Sequence, residues 1–143
     1  MITDADPAFE IVEHTADVGF HAWGTTAAEL FANAGRALMA IATDAATVAG
    51  SAERPVDIAG HDPESLMVNW LEEVLYLFDT GQFAGRDFVV DHLTSERLRA
   101  RLIGEPRDPV RHAWRVIVKA ITYHQIEVVQ RNARWEATIF VDI

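Results

Sequence analysis

The sequence predicts an α+β fold: a mostly antiparallel sheet with two amphipathic helices packed on one face. Three features carry that expectation. Apolar residues recur at helical spacing in two stretches, one after Thr26 and one after Asp62. After Gly85 the period changes to two, and short alternating runs follow one another through turn residues. No internal repeat, low-complexity stretch or break in composition divides the chain, so the elements are expected to share one layered core.

Residues 1–8 read as a polar lead-in ending at Pro7, and 9–143 as a single domain. Residues 9–14 predict a short strand, and Thr15-Ala16-Asp17 a turn. Val18, Phe20 and Ala22 alternate with Gly19, His21 and Trp23, which predicts a second strand broken at Gly24. Thr26 and Glu29 have the spacing of a capping box. The helix that follows puts Leu30, Phe31, Ala34, Leu38 and Ile41 on one face and ends near Thr43 and Asp44. Residues 45–55, small, polar and ending in proline, predict a loop, and 56–59 a brief strand.

Asp62-Pro63-Glu64 is a helix start, with a capping side chain, a proline in the first turn and an acid at the positive end of the helix dipole. Ser65 belongs to the same cap. Leu66, Met67, Trp70, Leu71, Val74, Leu77 and Phe78 form the apolar face, the aromatic stretch from Trp70 to Phe78 is expected in the core, and Gly81 provides a C-terminal cap. Residues 88–93 predict a strand. Leu98, Ala100 and Leu102 alternating with Arg97, Arg99 and Arg101 predict a half-buried one. A loop over 104–109 precedes a strand over 114–121. Residues 125–130 and 134–143 then pair around Arg131-Asn132-Ala133.

Composition narrows the function. The 143 residues hold 12 Lys+Arg and 22 Asp+Glu, a formal net charge of −10. That excess argues against gripping a nucleic-acid backbone or an anionic lipid surface. With no cysteine, disulfides, thiolate metal sites and a Cys nucleophile are excluded. The amino-terminal residues lack the pattern of a signal peptide and no apolar run approaches a membrane span, so the expected location is cytoplasmic. Gly-rich phosphate loops, HExxH and GxSxG are missing. Ser51 and Ser95 sit in loop-like stretches, which gives nucleophilic catalysis no starting point.

Two polar groups stand out. His14-Thr15-Ala16-Asp17 lies at the joint between two strands; the simpler reading makes Asp17 an Asx-turn and packs His14 on the sheet edge. Asp142-Ile143 ends the chain, and strand alternation puts Glu136, Thr138, Phe140 and Asp142 on one face and Trp135, Ala137, Ile139 and Val141 on the other. A terminus usually frays, but here the strand pattern runs to the last residue. If the first strand pair lies beside the last strand, Asp17 joins Asp142 and the Ile143 α-carboxylate. Such a group of hard oxygen donors suits calcium or magnesium better than zinc or copper. The six histidines, His14, His21, His61, His92, His112 and His124, show no paired ligand spacing and read as structural or exposed. The Arg97, Arg99 and Arg101 stripe reads as a solvated sheet face rather than an RNA contact.

Several motifs together resemble the archease family. They are His14-Thr15-Ala16-Asp17-Val18-Gly19 with Ala22-Trp23-Gly24, the helix over 68–79, and Gly104-Glu105-Pro106 with Asp108-Pro109 and Arg111-His112. The strand over 118–124 and the closing Val141-Asp142-Ile143 complete the set. The resemblance covers 9–143. It implies a small α+β protein that is not itself an enzyme. Such a protein activates an RtcB-type RNA ligase in tRNA splicing or RNA repair by promoting its guanylylation and multiple turnover. It also implies a divalent-metal site holding calcium first, with magnesium or manganese as alternatives, built from Asp17, Asp142 and Ile143 through its α-carboxylate. Asp44 and His14 fall in matching segments as supporting groups. The expected partner is the ligase, without strong direct RNA binding and without a membrane. The competing expectations are a metal-dependent hydrolase using Asp17, His14 and Asp142, and a general protein chaperone.

Overall fold

The computed structural model describes residues 8–14 and 17–143, and of Glu13, His14 and Asp17 the backbone alone. The strands β1 (Phe9–His14), β2 (Asp17–Gly24), β6 (Ala120–Ile121), β7 (Glu127–Arg131) and β8 (Arg134–Asp142) form one antiparallel sheet. In it β1, β2 and β8 are successive neighbours, and β6 and β7 share the far edge of β8. The strands β3 (Ala52–Ala59), β4 (Ala84–Leu93) and β5 (Arg97–Glu105) form a second antiparallel sheet in the order β3-β5-β4. The helices are α1 (Ala27–Ala42) and α2 (Pro63–Asp79). The fold is α+β as expected, with its strands divided between two sheets.

The division follows from how α1 is buried. Leu30, Phe31, Ala34, Ala37, Leu38 and Met39 are buried on several sides of α1, because it packs on β2 of the first sheet and β4 of the second. Small residues make the second contact close: a Cβ at Gly35 would meet the Phe88 ring at 3.1 Å. Trp70 of α2 is fully buried, donates from Nε1 to the Phe31 carbonyl at 2.9 Å and meets Phe88 edge-on. Each large apolar side chain so buried contributes about 1.5–3 kcal/mol before the entropy of ordering it. Tyr76 departs from the expectation for its stretch: it lies on the outer side of α2 and is exposed.

The caps hold with one change. Thr26 accepts from the Glu29 N–H at 3.1 Å, but the Glu29 carboxylate accepts from the Thr25 hydroxyl at 2.6 Å. Asp62 and Ser65 cap α2 reciprocally, with Pro63 in its first turn. Gly81, at φ 78°, ends α2 with its N–H on the Phe78 carbonyl and the Gln82 N–H on that of Leu77.

Two expectations fail. Residues 45–55 are not a loop throughout: Ala45–Thr47 is a 3₁₀ turn and β3 begins at Ala52. Pro55 fits inside β3 because β3 is an edge strand, whose outer side needs no N–H donor. The strand over 114–121 shrinks to Ala120–Ile121. Its burial alternates as predicted, with Val118 buried and Ile117 exposed. Yet Arg115 N–H donates to the Ala42 carbonyl at the end of α1, and β7 already occupies the other part of the β8 edge. The hairpin of β7 and β8 turns through Asn132 and Ala133, both at positive φ.

Candidate functional site

The strand β8 is the frame of the site. Ala137, Ile139 and Val141 face the core with Phe20 and Ala22. On the outer face, Gly19 lies across from Phe140, and a Cβ there would meet the Ile139 carbonyl at 2.6 Å and the Phe140 ring at 2.7 Å. The ring therefore covers the glycine and is itself almost fully buried. Beside it, His21 bridges β2 to β8 through Thr138 at 2.9 Å and Glu136 at 3.0 Å.

The register then fixes what lies at the strand ends. Val18 pairs with Val141, so the next residues outward are Asp17 on β2 and Asp142 on β8. On the other side Ala120 pairs with Asp142, Lys119 N–H donates to the Asp142 carbonyl at 2.8 Å, and both the N–H and the hydroxyl of Thr122 donate to the Phe140 carbonyl at 3.0 Å. The last strand is thus bonded into the sheet up to Asp142, against the usual fate of a terminus. The Asp142 side chain is exposed, and so is Ile143.

Both helices bring their negative ends to this pole. α1 leaves β2 after Gly24, at the Trp135 level, and returns so that Ala42 receives Arg115 N–H and Thr43 donates its hydroxyl to the Ala113 carbonyl at 2.7 Å. α2 is pinned to successive levels of the first sheet: Glu64 accepts from Val128 N–H at 3.3 Å, and Glu72 from Ile121 N–H at 2.7 Å. Its last turn is held by Arg107, which donates to the Phe78 carbonyl at 3.2 Å and stacks 4.0 Å over the Phe78 ring.

The segment that crosses the pole is fixed by a buried pair. His112, fully buried, accepts the Asp108 N–H at Nδ1 (2.9 Å), so Nε2 carries the proton and donates to Glu105 at 2.9 Å. Glu105 also accepts from Ala49 N–H at 2.8 Å and pairs with Arg111 at 2.8 Å. The Ala49 hydrogen bond first, then His112 and Arg111, holds the Glu105 carboxyl below the usual glutamate range.

The remaining expected groups sort plainly. Asp17 and His14 face one another as backbone partners, and their side chains lie outside the described residues, as do Thr15 and Ala16. Asp44 caps the 3₁₀ turn through the Ala46 N–H at 3.2 Å. Among the described residues no three His, Asp or Glu side chains gather in metal-holding geometry. The register brings the backbones of Asp17 and Asp142 to the same end of the sheet, and carboxylates are hard oxygen donors of the kind calcium or magnesium takes. His61, His92 and His124 are exposed. Arg97 pairs with Asp57 at 2.8 Å, and Arg101 with Asp91 at 2.9 Å and Glu53 at 3.4 Å, so the arginine stripe is largely matched by acids of β3 and β4. No signal in the sequence marked Glu72, whose carboxylate accepts from Ile121 N–H, and Lys119 takes part here through its backbone N–H. Among the described residues no helix is long and apolar enough to cross a membrane.

Comparison with known proteins gives a consistent result. The Archease protein family (MTH1598/TM1083) matches residues 9–143. Protein archease of Methanosarcina barkeri is 35% identical over 139 residues, covering 94% of this chain and 95% of that one. Protein archease of Methanosarcina mazei is 37% identical over the same length, with the same coverage. The solution structure of Methanobacterium thermoautotrophicum protein 1598 superposes with a TM-score of 0.78 at 31% identity, over 96% of this chain and all of that one. A Thermotoga maritima crystal structure, described as an archease and possible chaperone, shares the fold with a TM-score of 0.59 at 17% identity, over 92% and 94% of the two chains.

Proposed function

The chain belongs to the archease family, and on that premise we propose that it is a non-catalytic activator of an RtcB-type RNA ligase. It promotes guanylylation of the ligase and so sustains multiple turnover. The observation that supports this reading is the Val18–Val141 pairing, which leaves Asp17 and Asp142 as the next residues outward at one end of the sheet. With the Ile143 α-carboxylate they form the acidic tip that enters the nucleotide site of the ligase.

A divalent cation held by Asp17, Asp142 and Ile143, calcium first, supplies the positive charge that lets these carboxylates share one place. The protein's own residues do the rest. The bonded end of β8 holds Asp142 at a fixed position, and the segment from Arg107 to Lys119 braces it. An acidic protein also docks on a basic RNA-handling enzyme more readily than it competes for that enzyme's RNA.

The test follows ligase guanylylation with labelled GTP, with and without this protein. A faster rate and a larger guanylylated fraction are expected. An unchanged rate overturns the reading. Phosphoester hydrolysis by the isolated protein would point instead to the hydrolase built on Asp17, His14 and Asp142.

A further inference from the structure

The edges of a sheet present backbone donors and acceptors that no strand has paired. Among the described residues the two sheets have four edges, and three are blocked. β3 carries Pro55, which has no N–H to offer. β4 shifts register between Gly85 and Asp87 and again between Val90 and His92, and the Asp87 carboxylate takes the Phe88 N–H at 2.8 Å. Beyond β8, the strands β6 and β7 are short, and Glu72 and Glu64 of α2 accept from the Ile121 and Val128 N–H groups.

β1 is the fourth edge, and none of these devices guards it. Phe9–His14 pairs with β2 without a register shift and holds no proline. Trp23 N–H donates to the Ala8 carbonyl at 3.0 Å, so the backbone groups of Ala8, Glu10 and Val12 turn toward β2. Those of Phe9 and Ile11 turn outward, because the two sides alternate along a strand. Among the described residues none accepts from the Phe9 or Ile11 N–H. The side chains are equally unfinished. Ile11 lies opposite Phe20, on the core face, yet is 44% exposed, since no strand continues the sheet beside it. Glu10 is exposed on the other face, opposite His21, whose ring is already bonded to Thr138 and Glu136. Arg97, Arg101 and Arg131 match acids of other strands, but among the described residues no Lys, Arg or His pairs with Glu10.

We propose that the β1 edge binds an extended segment of a partner protein, in which apolar residues alternate with Lys or Arg, as a further strand of the first sheet. The open backbone groups select a strand, because an extended chain presents its own donors and acceptors at the matching spacing. The side chains select its sequence: an apolar residue beside Ile11 continues the core face, and a cation on the opposite face meets Glu10. Charge turns away a second copy. β1 against β1 would leave Glu10 of both chains without a cation and join two molecules of net charge −10. The proposal is independent of the function proposed above.

The test uses two peptides of equal length and charge, acetyl-(Lys-Val)3-Lys-amide and acetyl-(Lys-Pro)3-Lys-amide, of which only the first can pair as a strand. Affinity is measured by calorimetry, and amide hydrogen exchange of the wild-type protein by NMR. The Lys-Val peptide is expected to bind and to slow exchange at Phe9 and Ile11 about tenfold or more, and the Lys-Pro peptide to do neither. Ile11→Pro removes an outward N–H and no ladder bond, so it is expected to keep the wild-type unfolding temperature and to bind the Lys-Val peptide about tenfold more weakly or worse. If that variant unfolds, the exchange measurement on wild-type protein decides. Failure of the Lys-Val peptide to bind overturns the proposal. So does equal binding of both peptides, or binding that leaves Phe9 and Ile11 unprotected, because charge alone then draws the peptide. A dimer in the ultracentrifuge that protects Phe9 and Ile11 without peptide also overturns it, because the occupant is then a second copy.

Discussion

Val18 of β2 lies directly opposite Val141 of β8 in an antiparallel register. The two valines are 123 positions apart in the chain, by 141 − 18, yet one ladder makes them neighbours. The acidic residue beyond each, Asp17 and Asp142, is thereby delivered to the same end of the sheet.

This pairing makes the metal proposal quantitative. Asp142→Asn removes one charge from the donor set, and deletion of Ile143 moves the α-carboxylate back by one residue. Either change is expected to weaken calcium binding about tenfold or more, since each removes a charge-assisted contact. Isothermal titration calorimetry with calcium measures it. Equal affinity in both variants and wild type removes Asp142 and the terminus from the site.

The ladder itself depends on Gly19. A side chain there has no space, because its Cβ would meet the Ile139 carbonyl at 2.6 Å and the Phe140 ring at 2.7 Å. Gly19→Ala is expected to destabilise the fold by about 1–3 kcal/mol, as overpacking does. Urea unfolding reads the change, and wild-type stability would show that Phe140 moves aside without cost.

Much of this was legible in the sequence, for physical reasons. Both helices carry strong start signals, Thr26 and Asp62-Pro63, and their faces show a clear period. In β5, Leu98, Ala100 and Leu102 turn inward and the three arginines outward, as the alternation required. The strand pattern to the end of the chain also pointed to a bonded terminus at Asp142. What the sequence could not show was competition among elements. The alternation over 114–121 is real in its burial, but the edge of β8 had room for only Ala120–Ile121 beside β7. Pro55 disguised the first half of β3 as a loop, leaving only the brief strand over 56–59 legible, since only an edge position makes proline acceptable there. The Glu105–His112 pair was missed because its two residues belong to a strand end and a turn that close on each other only in three dimensions.

That pair leads to a pH dependence with a definite sign. Glu105 is held below its ordinary value of 4.5, by the Ala49 hydrogen bond first. Asp108 is held below 3.8 by the Val110 and Arg111 N–H groups, and Asp57 and Asp91 by hydrogen bonds from Arg97 and Arg101. A depressed folded value means the ionised group stabilises the fold. Its contribution is complete above the ordinary value and is lost as pH falls through the lower folded one. The unfolding temperature is therefore expected to be level near neutrality and to fall below about pH 4.5. Glu105→Gln should have a smaller acid-induced drop, measured by differential scanning calorimetry. A drop of the same size in the variant would show that Glu105 takes no part.

The most direct test of the account is RNA ligation by the source organism's RtcB-type ligase, with this protein present at a tenth of the ligase concentration. Wild-type protein is expected to carry the ligase through many turnovers, and Asp142→Ala to leave it near a single one while remaining folded. Activation by Asp142→Ala equal to wild type would contradict the claim that the acidic end of β8 is the working part of the molecule.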